Sequence, residues 1–266
     1  MRALRLDGHG VIAVPRDQTD IGGADAIVHL AGAPITVRWT ARRKREILES
    51  RVLGTRRIVE AIAKQERAPR VFVCASAIGY YGDRGSEELT EESGAGSDFL
   101  AEVVREWERA SQADGVRTVR LRFGIVLSRH GGALAKMLPA FRMGVGGRLG
   151  SGTQWMSWIA LHDLVRAIRF AIDSSELSGS VNAVTPQPVT NAEFTATLGH
   201  VLRRPAVVPI PAFALHALFG EMAGLTMLAS QRVKPARLEQ AGFRFEYPTL
   251  EGALRHELSG ASHDER

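Results

Sequence analysis

Hydrophobic and polar positions along the chain repeat with two different periods. Continuous apolar runs occur at Ala26-Ile27-Val28-His29-Leu30, at Val71-Phe72-Val73-Cys74-Ala75-Ser76, and around Val119, Leu121 and Phe123. Runs of that length, bounded by polar turns, read as strands buried on both faces. Between them the apolar positions change to a helical period. Leu48, Val52, Val59 and Ile62, flanked by Ile47 and Ile58, predict a helix over 40–63, and Leu100, Val103, Val104, Trp107 and Ala110 predict one over 99–110. Later, Leu164, Val165, Ile168, Ala171 and Ile172 mark another helix, followed by a strand over 181–184. Thr190 and Glu193 have capping-box spacing ahead of a helix over 194–202. The chain opens as the last turn of a helix, a break at Gly8-His9-Gly10 and a strand over 11–14.

Alternating strands and helices imply right-handed crossovers and a parallel sheet covered on both sides. The expected fold is α/β, a Rossmann-like doubly wound parallel sheet. Pro205, Pro209 and Pro211, a helix over 213–219 and a mixed segment over 231–247 suggest a smaller C-terminal substrate lobe. The sheet domain is expected to comprise 1–126 and 156–184, and the lobe 127–155 and 185–266. The polar tail after Leu258 is expected to be disordered. In such sheets ligands bind outside the carboxyl ends of the strands. Those ends fall at Arg16, 30–32, 76–82 and 124–126, each small or polar.

Residues 144–163 stand apart. Glycines at 144, 146, 147, 150 and 152 give way to Trp155, Met156, Trp158 and Ile159, and then to His162-Asp163. This reads as a flexible loop feeding a short buried strand, with Asp163 placed to cap the next helix through its carboxylate.

Composition narrows the function classes. The 266 residues suffice for one α/β domain or a large domain with a small lobe. Lysine plus arginine number 34 against 29 acidic residues, a net charge of +5. The excess is scattered. Its one cluster, Arg42, Arg43, Lys44 and Arg45, is interrupted by Glu46 and Glu49 and has no interleaved aromatics, so no nucleic-acid partner is expected. A single cysteine, Cys74, excludes an intrachain disulfide and suits a reducing compartment. The eight histidines are dispersed, so no metal site is expected. No apolar run approaches the roughly 18 residues of a membrane span, and no signal-peptide core opens the chain, which points to a cytoplasmic protein with no membrane partner.

His29-Leu30-Ala31-Gly32, the SAIGYYG of 76–82, Arg122-Phe123-Gly124-Ile125-Val126-Leu127 and the GGRLGSGTQWMSWIALHDL of 146–164 resemble the extended short-chain dehydrogenase/reductase superfamily. Within it they resemble the atypical epimerase family proteins, related to nucleoside-diphosphate-sugar epimerases. Gly220-Glu221, Ser230-Gln231-Arg232-Val233, Pro235 and Ala241-Gly242-Phe243 resemble the small C-terminal domain of unknown function that these carry.

The resemblance implies an NADP-binding protein. Arg16 would meet the 2′-phosphate, a contact that suits a guanidinium. Pro15, Leu30, Ala31 and Gly32 would line the adenosine side, and Gly124 and Ile125, with Ser76, the nicotinamide end. Glu46 and Arg51 are further cofactor candidates, or alternatively a surface ion pair. The glycine loop would cover the crevice, making Arg148, Ser151 and Gln154 substrate contacts, while Trp155 and Trp158 pack the two lobes together.

Two departures accompany these matches. No GxxGxxG turn, whose glycines would admit a pyrophosphate, opens the chain, and the resemblance begins only at the end of the first helix. A misassigned start is the expected reason; as written, stability and cofactor affinity should suffer. Nor does any of Tyr80, Tyr81 and Tyr247 have a lysine four residues on, the pairing that activates a catalytic phenol in this superfamily. The usual catalytic serine falls on Ala77, beside Ser76. Ser76, Tyr80 and Tyr81 are the substitutes, with aromatic packing as the alternative role of the two tyrosines. The expected function is an NADP-dependent reductase or epimerase of a small polar, nucleotide-sugar-like substrate, with a noncatalytic NADP-binding sensor or scaffold as the alternative and a homodimer as a candidate assembly.

Overall fold

A computed structural model of the chain describes residues 8–15, 18 and 20–259. In chain order its elements are β1 (Ala26–His29), α1 (Ala41–Ala63), β2 (Val71–Ala77), β3 (Glu88–Leu89), α2 (Phe99–Ala110), β4 (Arg117–Phe123), β5 (Ile125–Leu127) and α3 (Gly132–Arg142). There follow β6 (Trp155–Met156), β7 (Trp158–Ala160), α4 (Leu161–Asp173), β8 (Gly179–Ala183), β9 (Val189–Thr190), α5 (Asn191–Leu202), α6 (Ala212–Phe219), β10 (Arg232–Val233), α7 (Ala236–Gln240) and α8 (Leu250–Leu258).

Strands β1, β2, β4 and β8 form a parallel sheet in that order. Val71, Phe72, Val73, Val119, Leu121 and Val181 are fully buried, as a sheet covered on both faces requires. One face packs on Leu164, Ala167, Ile168 and Ala171 of α4, the other on Ile62 of α1 and Trp107 of α2. The fold is thus α/β and Rossmann-like. Around the sheet lie three two-stranded pairings: β5 with β7, β6 with β9 and β3 with β10. A second core, built from Leu127, Leu134, Phe141, Trp158, Phe194, Leu198 and Leu254, joins β5 and β7 to α3, α5 and α8.

The helix signals translate closely into structure. Thr40 caps α1 by accepting from the Arg43 N–H, and Asp98 does the same for α2 with Ala101. Thr190 and Glu193 form the reciprocal capping box at the start of α5.

Three expectations need correction. Residues 11–14 form no strand; Ile12 is 67% exposed, and β1 pairs only with β2 among the described residues, so no ladder takes up their backbone groups. The strand expected over 155–159 breaks into β6 and β7 at Ser157. Its hydroxyl donates to the Gln231 carbonyl and accepts from the Val233 N–H, 2.8 Å each, while its own carbonyl accepts from the Ile125 N–H at 2.9 Å. Asp163 does not cap α4. It sits buried in the first turn, where its carboxylate accepts from the backbone N–H groups of Glu246 and Tyr247 and from Arg166. The first helical turn and the disordered tail inferred from sequence fall on 1–7 and 260–266, outside the described residues.

Candidate functional site

The carboxyl ends of β1, β2 and β4 define the edge where a ligand would approach the sheet. Beyond β1, Leu30 is 54% exposed and Ala31 and Gly32 are half-buried. The Ala33 N–H donates to Ser50 Oγ at 3.0 Å, which ties this loop to α1. The next residue of α1, Arg51, lies directly over the loop. A Cβ on Gly32 would stand only 3.1 Å from Arg51 Cζ, so the absence of a side chain is what lets the guanidinium settle there.

Arg51 donates from Nη1 to the Ile47 carbonyl at 3.1 Å and lies 5.2 Å from the Trp107 ring centroid. No carboxylate pairs with it among the described residues. Burial pushes its pKa down to about 10. A desolvated guanidinium without a counter-charge is poised for an anion, and its planar fork suits phosphate oxygens. The chemistry and the cradle over Gly32 therefore fit a dinucleotide phosphate.

Glu46 does not share this position. Five residues separate it from Arg51, which turns it about 140° away on the helix. It is exposed and pairs with Arg43 at 2.6 Å, so the alternative of an Arg51–Glu46 ion pair is also ruled out. Pro15 is exposed and accepts from the Gln18 N–H through its carbonyl. Arg16 lies outside the described residues.

At the end of β2 the chain enters a 3-10 turn, Ile78–Tyr81, and the three catalytic candidates meet a buried network. Arg122 of β4 forms a two-pronged pair with Glu108 of α2, Nε to Oε1 at 2.8 Å and Nη2 to Oε2 at 2.9 Å. Ser76 donates to Glu108 Oε1 at 2.6 Å and Ser180 to Oε2 at 3.0 Å. Tyr81 donates to Asn182 Oδ1 at 2.7 Å and accepts from Arg122 Nη1 at 3.0 Å. Burial opposes the charge of Glu108, but the bonds from Arg122, its positive charge and the two serine hydroxyls outweigh it and hold the carboxyl below its ordinary range. Burial pushes the Tyr81 phenol up to about 12 against the pull of Arg122.

Ser76 and Tyr81, both almost wholly buried, thus direct their hydroxyl hydrogens inward to protein acceptors. That geometry corrects their reading as acid or base, since neither proton is offered to a ligand. Tyr80 differs. It is half-buried, its ring lies face-on to Arg122 with the guanidinium carbon 3.5 Å from the centroid, and no hydrogen bond engages its hydroxyl among the described residues.

Gly124 is required by packing. A Cβ there would lie 2.6 Å from the Ser157 carbonyl oxygen and 2.7 Å from Val184, so the glycine lets β4 pass into β5 alongside β7. Ile125 is half-buried against the second core. Of the substrate candidates, Arg148 is exposed, and Gln154 is buried with its amide donating to the Leu149 and Met227 carbonyls, a brace for the glycine loop. Ser151 bonds Thr153 at 2.8 Å and, with Gln154, lines a depression of about 530 Å³. Asp83, Ser86 and Ser230 close its other side. Trp158 is fully buried in the second core, whereas Trp155 is half-buried beneath Arg232, 4.7 Å from its ring centroid.

Sequence reasoning missed Glu108, Asn182, Asp83 and Ser230. One signal was available: Arg122 alternates with Leu121 and Phe123 within a buried strand, and a buried arginine demands a carboxylate.

Residues 16–183 match the NAD dependent epimerase/dehydratase family, and residues 210–257 match a domain of unknown function, DUF1731. The chain is 45% identical over 239 residues to the epimerase family protein SDR39U1 homolog, chloroplastic, of Arabidopsis thaliana, covering 88% of this chain and 69% of that protein. It is 43% identical over 244 residues to the epimerase family protein MT2273 of Mycobacterium tuberculosis, with 90% and 79% covered. Among solved structures, human epimerase family protein SDR39U1 (isoform 2), crystallised with NADPH, matches with a TM-score of 0.91 at 33% identity, covering 97% of this chain and 94% of that one. No helix among the described residues is long and apolar enough to cross a membrane.

Proposed function

The chain belongs to the NAD dependent epimerase/dehydratase family, and from that premise we propose that it binds NADP at the carboxyl edge of the sheet and oxidises or reduces one carbon of a small polar, nucleotide-sugar-like substrate. The crystallisation of the human relative with NADPH supports the choice of cofactor. The observation that carries the reading is Arg51, a half-buried cation with no carboxylate paired to it among the described residues, cradled over Gly32 at the end of β1.

When bound, a reduced nicotinamide supplies hydride. Arg51 would hold a phosphate, Leu30, Ala31 and Gly32 would line the dinucleotide's adenosine side, and Ile125 would border the nicotinamide. Ser151, with Asp83 across the depression, presents polar groups to the substrate. In the reductive direction Tyr80 would supply its phenolic proton to the substrate's carbonyl oxygen. The phenolate left behind faces the Arg122 guanidinium, 3.5 Å from the ring centroid. A reducing, cytoplasmic setting belongs to the same reading, in keeping with the free, buried Cys74.

Turnover is tested by following nicotinamide absorbance with NADPH and a panel of carbonyl compounds and nucleotide sugars. The expected result is turnover of at least one substrate and, for Tyr80→Phe, a kcat lower by about a hundredfold with cofactor affinity unchanged. A second reading, a noncatalytic NADP-binding sensor, is favoured by the inward commitment of Ser76 and Tyr81. It predicts binding without turnover across the panel.

A further inference from the structure

We propose that the face formed by 142–149 and 203–213 docks on an anionic lipid bilayer. Two segments some sixty residues apart in sequence come together here. Val208 N–H donates to the Gly146 carbonyl at 3.2 Å, and Ile210 N–H to the Arg148 carbonyl at 2.9 Å, so the loops run side by side. Their apolar side chains point to solvent: Val207 is 78% exposed, Phe213 76%, Met143 71% and Val145 51%. Single exposed apolar residues are ordinary on protein surfaces, but several gathered on two adjoining loops mark an interaction site.

The charge around them is of one sign. Arg142, Arg148, Arg203 and Arg204 are all exposed, and none forms an ion pair among the described residues. Arginines elsewhere do pair, as Arg43 does with Glu46, Arg84 with Glu87 and Arg255 with Glu251. No aspartate or glutamate occurs between Asp114 and Asp163 or between Glu193 and Glu221. Beside Val207, a concavity of about 460 Å³ is lined by Gly199, His200, Arg203, Arg204, Pro205 and Arg255, and Glu251 is held there by Arg255 and His200. Arg203 takes the left-handed conformation, φ 54°, at the end of α5.

Protruding apolar tips ringed by unpaired guanidinium groups match the interfacial layer of a bilayer, where apolar groups enter the acyl boundary and cations meet lipid phosphates. A second copy fits poorly, because a twofold contact would press two sets of unpaired arginines together. No described helix is both long and apolar enough to cross a membrane, and the docking proposed is peripheral. Neither segment alone carries enough apolar residues to mark this face.

The test is cosedimentation of the full chain with vesicles of phosphatidylcholine alone and of an equal mixture with phosphatidylglycerol. Binding to the mixed vesicles only, weakened by salt, is expected. Arg203→Gly with Arg204→Ala should weaken it by about fivefold per guanidinium removed. Val207→Asp with Phe213→Asp should abolish it without changing the thermal melt. Equal binding to both vesicle types, no binding, or indifference to these changes would overturn the proposal. So would a dimer in solution that Val207→Asp dissociates, since a second copy would then hold the face.

Discussion

Glu108 accepts hydrogen bonds from Arg122, Ser76 and Ser180, and through them α2, β2, β4 and β8 are drawn to one point. Replacing it with glutamine strands a buried guanidinium, a loss on the order of 3–5 kcal/mol in urea denaturation. Its carboxyl lies below its ordinary range in the folded protein, so its stabilisation is complete above about 4.5, the unfolded value. It is lost as pH falls from there through the folded value. Glu108→Gln should therefore flatten the acid limb of the stability profile while lowering the neutral plateau. Tyr81→Phe removes a donor to Asn182 and an acceptor for Arg122, and should cost about 1–3 kcal/mol while leaving NADPH affinity intact. At this scale the sequence was least legible. A motif marks Ser76, Tyr80 and Tyr81 as neighbours, but only the position of Glu108 reveals which hydroxyls face inward.

Among the elements, helices were the most legible, because capping residues and a period of apolar positions are local properties. Thr40, Asp98 and Thr190 each stand where a cap is needed. Strands depend on partners far away, so 11–14 carries a strand-like pattern without forming one. The glycine stretch shows the same limit. Its composition suggests mobility, yet a Cβ built on Gly147 would overlap the Val208 carbonyl oxygen, and one on Gly146 would lie 2.6 Å from the Phe141 ring. Gly147 permits backbone-to-backbone packing against 208–209, and Gly146 makes room for the Phe141 ring. Gly147→Ala should cost about 3 kcal/mol or more, since neither backbone can yield without breaking the neighbouring bonds. Reduced denaturation midpoint at unchanged slope would record it.

Across the whole molecule, the segment after Gly220 is knitted into the sheet domain by buried polar contacts and not by apolar packing alone. Ser157 bonds Gln231 and Val233, Asn182 donates to the Lys234 carbonyl, and Asp163 holds Glu246 and Tyr247. The architecture could be read from alternating periods, but these cross-links could not, since each joins residues some fifty or more positions apart. At shorter range, the turn from β1 into α1 brings Arg51 over Gly32, with no carboxylate paired to it among the described residues. That Arg51 receives a phosphate of NADP is tested most directly by titrating NADPH into the wild-type chain and Arg51→Gln, with binding read by nicotinamide fluorescence. The predicted result is saturable binding to the wild type, weakened by about tenfold to a hundredfold in the variant, as loss of a charge-assisted hydrogen bond entails. No binding to the wild type, or equal affinity in both, would contradict it.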